Sequence, residues 1–206
     1  MTRGLLAGVI AMAAIVVASN ILVQYLLGDW LTWGAFTYPF AFLVTDLMNR
    51  LYGAAQARKV VLFGFVTGIV CSFIGTQIIG EFGPLVSFRI AIGSGTAFLI
   101  AQLTDVAVFN RFRAGNWWRA PVVSSLVGSA LDTAIFFTIA FSGAFIFLDS
   151  AEPNGWAREL APLLSLGPEM PLWISLAVAD FVIKMVLVLV ALIPFKLVVS
   201  RLHPQH

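Results

Sequence analysis

Apolar residues fall in six long runs along this chain, near positions 4–27, 36–53, 58–80, 89–110, 119–147 and 171–199. A helix needs about 20 mostly apolar residues to cross the hydrocarbon core of a bilayer. The pattern therefore predicts an all-α, polytopic membrane protein, a bundle of six transmembrane helices forming one domain over 1–206. The interruptions have local causes. Gly28-Asp29-Trp30 closes the first run, and Tyr52-Gly53 with Arg58-Lys59 separates the second from the third. Gly80-Glu81-Phe82-Gly83-Pro84 reads as a turn. Arg111, Arg113 and Gly115-Asn116 make the next break. The longest polar stretch runs from Asp149 to Pro171 and holds Pro153-Asn154-Gly155 and Gly167-Pro168, with room for a short interfacial helix near Trp156 to Leu164. The first run is longer than the apolar core of a signal peptide and lacks a small-residue cleavage site, so it is read as a spanning helix.

Polar residues inside these runs are few and costly. An ionisable group at mid-membrane costs roughly 2.5–3.5 kcal/mol on insertion scales, and persists where it is paired, hydrated or used. Asp132 lies near the centre of the fifth run, with no basic residue at helical spacing. It must meet Lys184, water or a solute. Asp180 and Lys184 stand four apart in the sixth run, on one helical face. They form either a structural ion pair or a contact to substrate or coupling ion. Asp46 lies in the inner half of the second run, with Arg50 one turn on. Gln102 and Asp105 share a face of the fourth, where Asp105 either caps, faces water or serves the site. Asn20 and Gln24 share a face of the first. Arg89 opens the fourth run, as a snorkelling cation or as part of the site. Pro39 removes a backbone donor from the second run and predicts a kink, amid Trp33, Phe36, Tyr38, Phe40 and Phe42. Kinked helices expose backbone polar groups, which are tolerated where they face protein or a wet cavity. Aromatics there serve packing, or stack on a planar ring.

Composition supports the membrane reading. Of 206 residues, 60% are hydrophobic and 11% charged, against roughly 25% charge in a soluble domain; mean hydropathy is +0.97. The net charge of +2 matters less than its placement. Arg3, Arg50, Arg58, Lys59, Arg111, Arg113, Arg119, Lys196 and Arg201 all fall on one side if the N-terminus is cytoplasmic; these are nine of the twelve basic residues. By the positive-inside rule both termini are expected in the cytoplasm. The opposite loops carry Asp29, Glu81, Asp149, Glu152, Glu159 and Glu169. Trp30, Trp33, Trp117, Trp118, Trp156 and Trp173 stand near helix ends, as interfacial anchors do. Cys71 is the single cysteine, so an internal disulfide and a cysteine zinc site are ruled out. His203 and His206, the only histidines, lie too far along for an intramembrane Ser-His or Cys-His pair. Gly4-x-x-x-Gly8, Gly64-x-x-x-Gly68 and the series Ser124, Ser125, Gly128, Ser129 allow close helix approach, within the chain or across a homodimer seam.

Taken together, Thr32-Trp33-Gly34-Ala35-Phe36, Pro39-Phe40, Thr45-Asp46-Leu47, Arg50, Gly53 and Ala57-Arg58 resemble the queuosine precursor transporter family of bacterial inner membranes. The likeness continues through Arg89-Ile90-Ala91, Gln102, Asp105, Val108-Phe109-Asn110-Arg111, Trp117-Trp118, Pro121, Asp132-Thr133, Phe136-Phe137, Asp180 and Lys184, and so covers nearly the whole chain. The resemblance implies six spans and uptake of 7-cyano- or 7-aminomethyl-7-deazaguanine for tRNA modification. One branch of the family has Glu where this chain has Arg50, a charge reversal beside Asp46.

The residues suit that cargo on chemical grounds. A guanine-like edge presents two adjacent donors, which one carboxylate accepts in a bidentate contact. An aminomethyl group is cationic and favours a second carboxylate. Asp132 and Asp180 are the candidates for these contacts. Lys184 holds a carboxylate ionised or serves the O6 acceptor. Asp46, Arg50, Gln102, Asn20, Phe40, Trp33, Arg89 and Asp105 complete the candidate lining. Expected partners are the deazaguanine base, lipid and, at a small-residue seam, a second copy; no cofactor, metal, catalytic group or nucleic acid is expected. Three other readings stand beside this one. A capture subunit of an ATP-driven vitamin uptake complex would need a partner, since the chain has no G-x-x-x-x-G-K-[ST] loop of its own. An intramembrane aspartyl enzyme would need Asp132 and Asp180 to share a proton, which a neighbouring Lys184 opposes. A passive assembly protein would carry costly mid-span charges to no purpose.

Overall fold

The computed structural model describes residues 2–81, 83–149 and 154–202. Phe82 of the second turn, Glu152 and Pro153 of the long loop, and His203 and His206 lie outside the described residues. Most of the chain is helical. Helix α1 spans Arg3–Leu22, α2 Gly34–Thr37, α3 Phe40–Tyr52, α4 Ala54–Gln77, α5 Phe88–Phe112, α6 Arg119–Phe141 and α7 Leu172–Leu202. Five of these (α1, α4, α5, α6 and α7) are long and apolar enough to cross a membrane.

Local chemistry sets the ends. Thr2 caps α1, its hydroxyl accepting from the amide of Leu5, and Ser87 caps α5 by accepting from Ile90. Gly53 separates α3 from α4 in a single residue with φ +85°, a conformation that glycine adopts without strain. The second apolar run divides as its proline predicts. Pro39 has no amide hydrogen, and α2 ends at Thr37 while α3 begins at Phe40.

Several predicted boundaries shift, among them those of the third run, whose helix α4 starts four residues early at Ala54 and ends three early at Gln77. The first run is helical only to Leu22. Beyond it, Leu26–Leu27 (β1) pairs antiparallel with Leu31–Thr32 (β2) around Gly28, which has φ +67°. The fifth run is α-helical only to Phe141. Ser142 is extended, and the apolar stretch Gly143–Leu148 winds into 3₁₀ turns instead. The seventh helix runs three residues past the predicted end, to Leu202. The long polar loop holds a 3₁₀ turn at Gly155–Arg158 and a short antiparallel pair, Leu160–Pro162 (β5) with Glu169–Pro171 (β6), in place of an interfacial α-helix. A further short pair, Ile79–Gly80 (β3) and Gly83–Pro84 (β4), links α4 to α5. Hydropathy measures whether a segment tolerates lipid. It does not distinguish an α-helix from a 3₁₀ turn or a short ribbon, which explains these shifts.

Small residues let the helices approach closely. Gly8 on α1 lies against Met48 of α3, and Gly64 on α4 against Met12 of α1 and Phe98 of α5. Gly128 on α6 faces Phe42 of α3 and the backbone of Ala101 on α5. Gly93 on α5 sits against the α6 backbone at Phe136 and Ala140. The predicted small-residue seams are thus taken up by packing within the chain. The core is built where they meet, around Met12, Val16, Ala41, Met48, Val60, Val61, Phe98 and Val106. The outward faces are apolar instead: Leu62, Phe63, Val66, Val70 and Phe73 on α4 and Val182, Val186, Leu189, Val190 and Ile193 on α7 are all exposed. Among the indoles, Trp33, Trp117, Trp118 and Trp156 are exposed near helix ends.

Arg89 ties α5 to the end of α6. Its side chain is fully buried, and its guanidinium donates to the carbonyls of Ile139 (3.1 Å) and Ser142 (2.5 Å). A cation at a helix C-terminus satisfies carbonyls that have no partner within the helix and complements the helix dipole. Arg89→Leu should lower stability by on the order of 3 kcal/mol, since hydrogen bonds to charged groups contribute about 1.5–3 kcal/mol each. The thermal unfolding midpoint in detergent measures this; an unchanged midpoint would remove the capping role.

Candidate functional site

The three mid-span ionisable residues meet. Lys184 on α7 donates to Asp132 Oδ2 of α6 at 2.7 Å and to Asp180 Oδ2, one turn before it on its own helix, at 2.6 Å. Its third hydrogen goes to Thr133 Oγ1 at 3.1 Å. The Thr133 hydroxyl donates in turn to Asp180 Oδ2 at 2.7 Å. Tyr38, in the break between α2 and α3, donates its hydroxyl to Asp132 Oδ1 at 2.9 Å, and its ring lies 5.5 Å from the Lys184 ammonium. One ammonium thus stands among two carboxylates and two hydroxyls, with a formal charge of −1.

Helical spacing explains the assembly. Asp180 and Lys184 stand four apart on α7, so both reach the same side. Asp132 and Thr133 are adjacent near the middle of α6, and both turn toward Lys184. The Pro39 break brings the Tyr38 hydroxyl to them. Tyr38 itself is held edge-on by Phe42 and Phe98, with ring centroids 6.4 and 6.2 Å away. The cluster therefore links the α2–α3 break, α6 and α7. Its members are not equally enclosed. The side chains of Lys184 and Asp132 are 4% and 7% exposed and that of Asp180 15%. Both hydrogen bonds to Asp180 fall on Oδ2. Its Oδ1 accepts none among the described residues, and Asp180 is the most exposed of the three charged side chains.

A second polar cluster lies between α3, α5 and α6. Asp46, 2% exposed, accepts from Ser124 at 3.1 Å on Oδ1 and from Ser125 at 3.2 Å on Oδ2. The carboxyl of Asp105, fully buried, lies within hydrogen-bonding reach of the Asp46 carboxyl. Thr45 donates to Gln102 Oε1 at 2.6 Å, and Asn49 to the Val106 carbonyl at 3.0 Å. A narrow crevice of about 10 Å³, lined by Pro39, Asp46, Ser125, Ala191 and Phe195 among others, reaches Asp46 from the α7 side.

The remaining candidates stand apart from both clusters in their contacts. Arg50 does not close on Asp46, as its one-turn spacing suggests. Its guanidinium reaches the carbonyls of Arg113 (2.8 Å) and Trp117 (3.5 Å) and stacks over Phe109 at 5.2 Å. The serines of α6 have taken its place beside Asp46. Arg113 donates back to the Arg50 carbonyl, so the two arginines clasp the ends of α3 and α5 together. Asn20 bonds back to the Val16 carbonyl of its own helix. Trp33 is half exposed and tilts against Phe36, and Phe40 is half buried. Arg89 is engaged at the end of α6. Sequence reasoning did not assign Tyr38, Thr133, Ser124 or Ser125 to these sites. The available signals were a tyrosine directly before the helix-breaking proline, a threonine beside the mid-span aspartate, and serines seven and eight residues before that aspartate on its helix.

Residues 32–199 match the family model described as "Putative vitamin uptake transporter". The chain is 34% identical over 194 residues to a protein of Escherichia coli (strain K12) named "Queuosine precursor transporter", covering 87% of this chain and 79% of that one. It is 39% identical over 141 residues to a "Probable queuosine precursor transporter" of Haemophilus influenzae, covering 62% of this chain and 57% of the relative. A Bacillus subtilis protein of the same name is 32% identical over 58% of this chain and 60% of its own length. No solved structure matches. With a family model covering most of its length and an E. coli relative aligned over most of both chains, this multi-pass membrane protein belongs to the queuosine precursor transporter family.

Proposed function

We propose that this protein carries queuosine precursors, 7-cyano- and/or 7-aminomethyl-7-deazaguanine, across the bacterial inner membrane, binding them at the Asp132–Lys184–Asp180 cluster. The observation that carries the reading is the cluster itself. A buried lysine shared by two carboxylates, at the centre of helices whose outer faces are apolar, is costly in lipid. The names of the relatives support a queuosine precursor as the cargo. In this reading the chain is one membrane domain of six spans, with both ends cytoplasmic. The sixth crossing is the broken helix from Gly34 to Tyr52, whose 19 residues rise about 28 Å, close to the roughly 30 Å hydrocarbon core. The basic loops are then cytoplasmic.

The chemistry follows from the acceptor set. One donor of the base edge, the ring N–H or the exocyclic amine, first meets Asp180 Oδ1, which accepts no bond within the cluster. The Asp132 carboxylate takes the second donor, or the aminomethyl cation, once the Tyr38 hydroxyl releases Oδ1. Lys184 turns one hydrogen to the O6 of the base. Hydrogen bonds made within the cluster are exchanged for hydrogen bonds to substrate, so little is left unpaired at any stage. The planar ring stacks against Tyr38 and its aromatic neighbours. Because Tyr38 sits on a proline break, one hydrogen bond joins the hinge to the site, which gives binding a path to helix movement.

Uptake of labelled deazaguanine by liposomes holding only the purified chain tests the reading. Saturable accumulation is expected. Tight binding without uptake would instead mark a capture subunit that needs a partner, and neither would remove the assigned cargo. Asp132→Asn should lower uptake at least about tenfold while the protein still inserts, because a charged hydrogen bond contributes about 1.5–3 kcal/mol. Uptake by that variant at the wild-type rate would overturn the site. Tyr38→Phe removes only the hydroxyl. It should raise the half-saturating concentration or slow turnover by roughly threefold to tenfold, in line with one lost hydrogen bond of about 1 kcal/mol; unchanged kinetics would separate Tyr38 from the cycle.

A further inference from the structure

We infer that Asp46 and Asp105 form a carboxyl pair that holds one proton between them and serves as the coupling-proton site of transport. The inference rests on the uptake reading above and adds to it a second site, between α3, α5 and α6.

Asp105 is the less satisfied member of the pair. It is fully buried, and neither carboxyl oxygen has a hydrogen-bond partner among the described residues. Its polar neighbours are the Asp46 carboxyl and Ser124. The single hydrogen of Ser124 is contested by Asp46 Oδ1, the Pro121 carbonyl and Asp105, and can serve one of them at a time. With both acids ionised, two like charges would face each other in a low-dielectric interior, with the one Ser124 hydrogen to divide between them. One proton between the carboxyls removes a charge and supplies the missing donor, as close pairs of carboxyls do elsewhere.

The surroundings leave that role to a proton. The cation within electrostatic reach of Asp46 is Arg50 on the same helix, and its guanidinium is engaged with backbone carbonyls and the Phe109 ring. From α6 only the hydroxyls of Ser124 and Ser125 face the pair. From α7 the crevice wall is Val188, Ala191, Leu192 and Phe195. The charges of α4, Arg58 and Lys59, and Arg3 of α1 are exposed at helix ends. A sodium ion needs several oxygen ligands and room for them. The crevice at Asp46 holds about one water and is not lined by Asp105. A proton needs no room, and one water on the crevice gives it a way in.

The pair also has a route to the substrate cluster. Ser125, Ser129 and Asp132 stand four and three residues apart along one face of α6, so the two acid sites are about 10 Å apart along the axis. On the way lie two buried polar atoms with no partner among the described residues, Ser129 Oγ and Gln102 Nε2. Gln102 stands one turn before Asp105 on α5 and accepts from Thr45 on α3. A movement of the α2–α3 break that carries Asp46 away from Asp105 would unpair the shared proton. That same movement shifts Tyr38 at the substrate cluster.

Two measurements test this together. The first is infrared difference spectroscopy of the purified protein near neutral pH. A protonated-carboxyl band is expected in the wild type and is lost in both Asp105→Asn and Asp46→Asn. The second is uptake into liposomes with and without an inward proton gradient. The gradient should accelerate wild-type uptake severalfold, whereas residual uptake by Asp105→Asn should not respond to it. A carboxyl band that neither replacement removes would overturn the proposal. So would an Asp105→Asn variant that keeps the full gradient response, or wild-type uptake driven by sodium in place of protons. Absence of substrate exchange by the wild type would overturn the uptake reading instead, and the infrared arm would still decide whether the pair holds a proton.

Discussion

One buried ammonium organises the centre of this protein. Lys184 cannot face lipid at mid-membrane without partners, and its three hydrogens find Asp132, Asp180 and Thr133. Those partners cannot be exposed to lipid either. The requirement that each polar group be satisfied by the others fixes α7 against α6 and brings the α2–α3 break to both through Tyr38. Apolar packing between transmembrane helices is weakly directional, because lipid is as apolar as leucine. A polar cluster with few acceptable arrangements supplies the direction.

The glycine and serine faces make that arrangement reachable. Gly128 lets α6 approach Phe42 on α3 and the backbone of α5, which places Asp132 opposite Lys184 on one side and Ser124 and Ser125 against Asp46 on the other. One helix therefore serves both acid sites. The ends of the bundle are held differently, by arginines that cap backbone carbonyls: Arg89 at the end of α6, Arg50 and Arg113 where α3 and α5 finish. Firm ends and a centre built from exchangeable hydrogen bonds suit a protein that must open around a ligand.

Much of this was legible in the sequence, for physical reasons. Long apolar runs and their breaks gave the helices, and the cost of charge in lipid singled out Asp132, Asp180 and Lys184. The i,i+4 spacing put Asp180 and Lys184 on one face, while Lys184 was one of three partners open to Asp132, beside water and a solute. The kink at Pro39 followed from its missing amide. What was not legible depends on which helix lies beside which. Asp46 and Asp105 belong to different helices, and nothing in their spacing announces a contact. Arg50 stands one turn from Asp46 but turns to backbone carbonyls across the bundle, which no periodicity encodes. Arg89 read equally as a site residue or an interfacial cation, and its role at the α6 terminus depends on a crossing. The early end of α6 at Phe141 was hidden because the residues that follow are just as apolar.

The shape of the Lys184 cluster orients α6, α7 and the α2–α3 break, and its charges serve the ligand. Buried ion networks are often replaceable by neutral groups of similar shape without loss of stability. The most direct test is calorimetric binding of aminomethyl-deazaguanine to a triple variant, Asp132→Asn, Asp180→Asn and Lys184→Met, alongside its unfolding midpoint. A folded protein is expected, with a midpoint near that of the wild type and binding weakened by at least about 100-fold, the equivalent of about 2.7 kcal/mol. A variant that binds the base as the wild type does, or one that no longer folds, would contradict that division of roles.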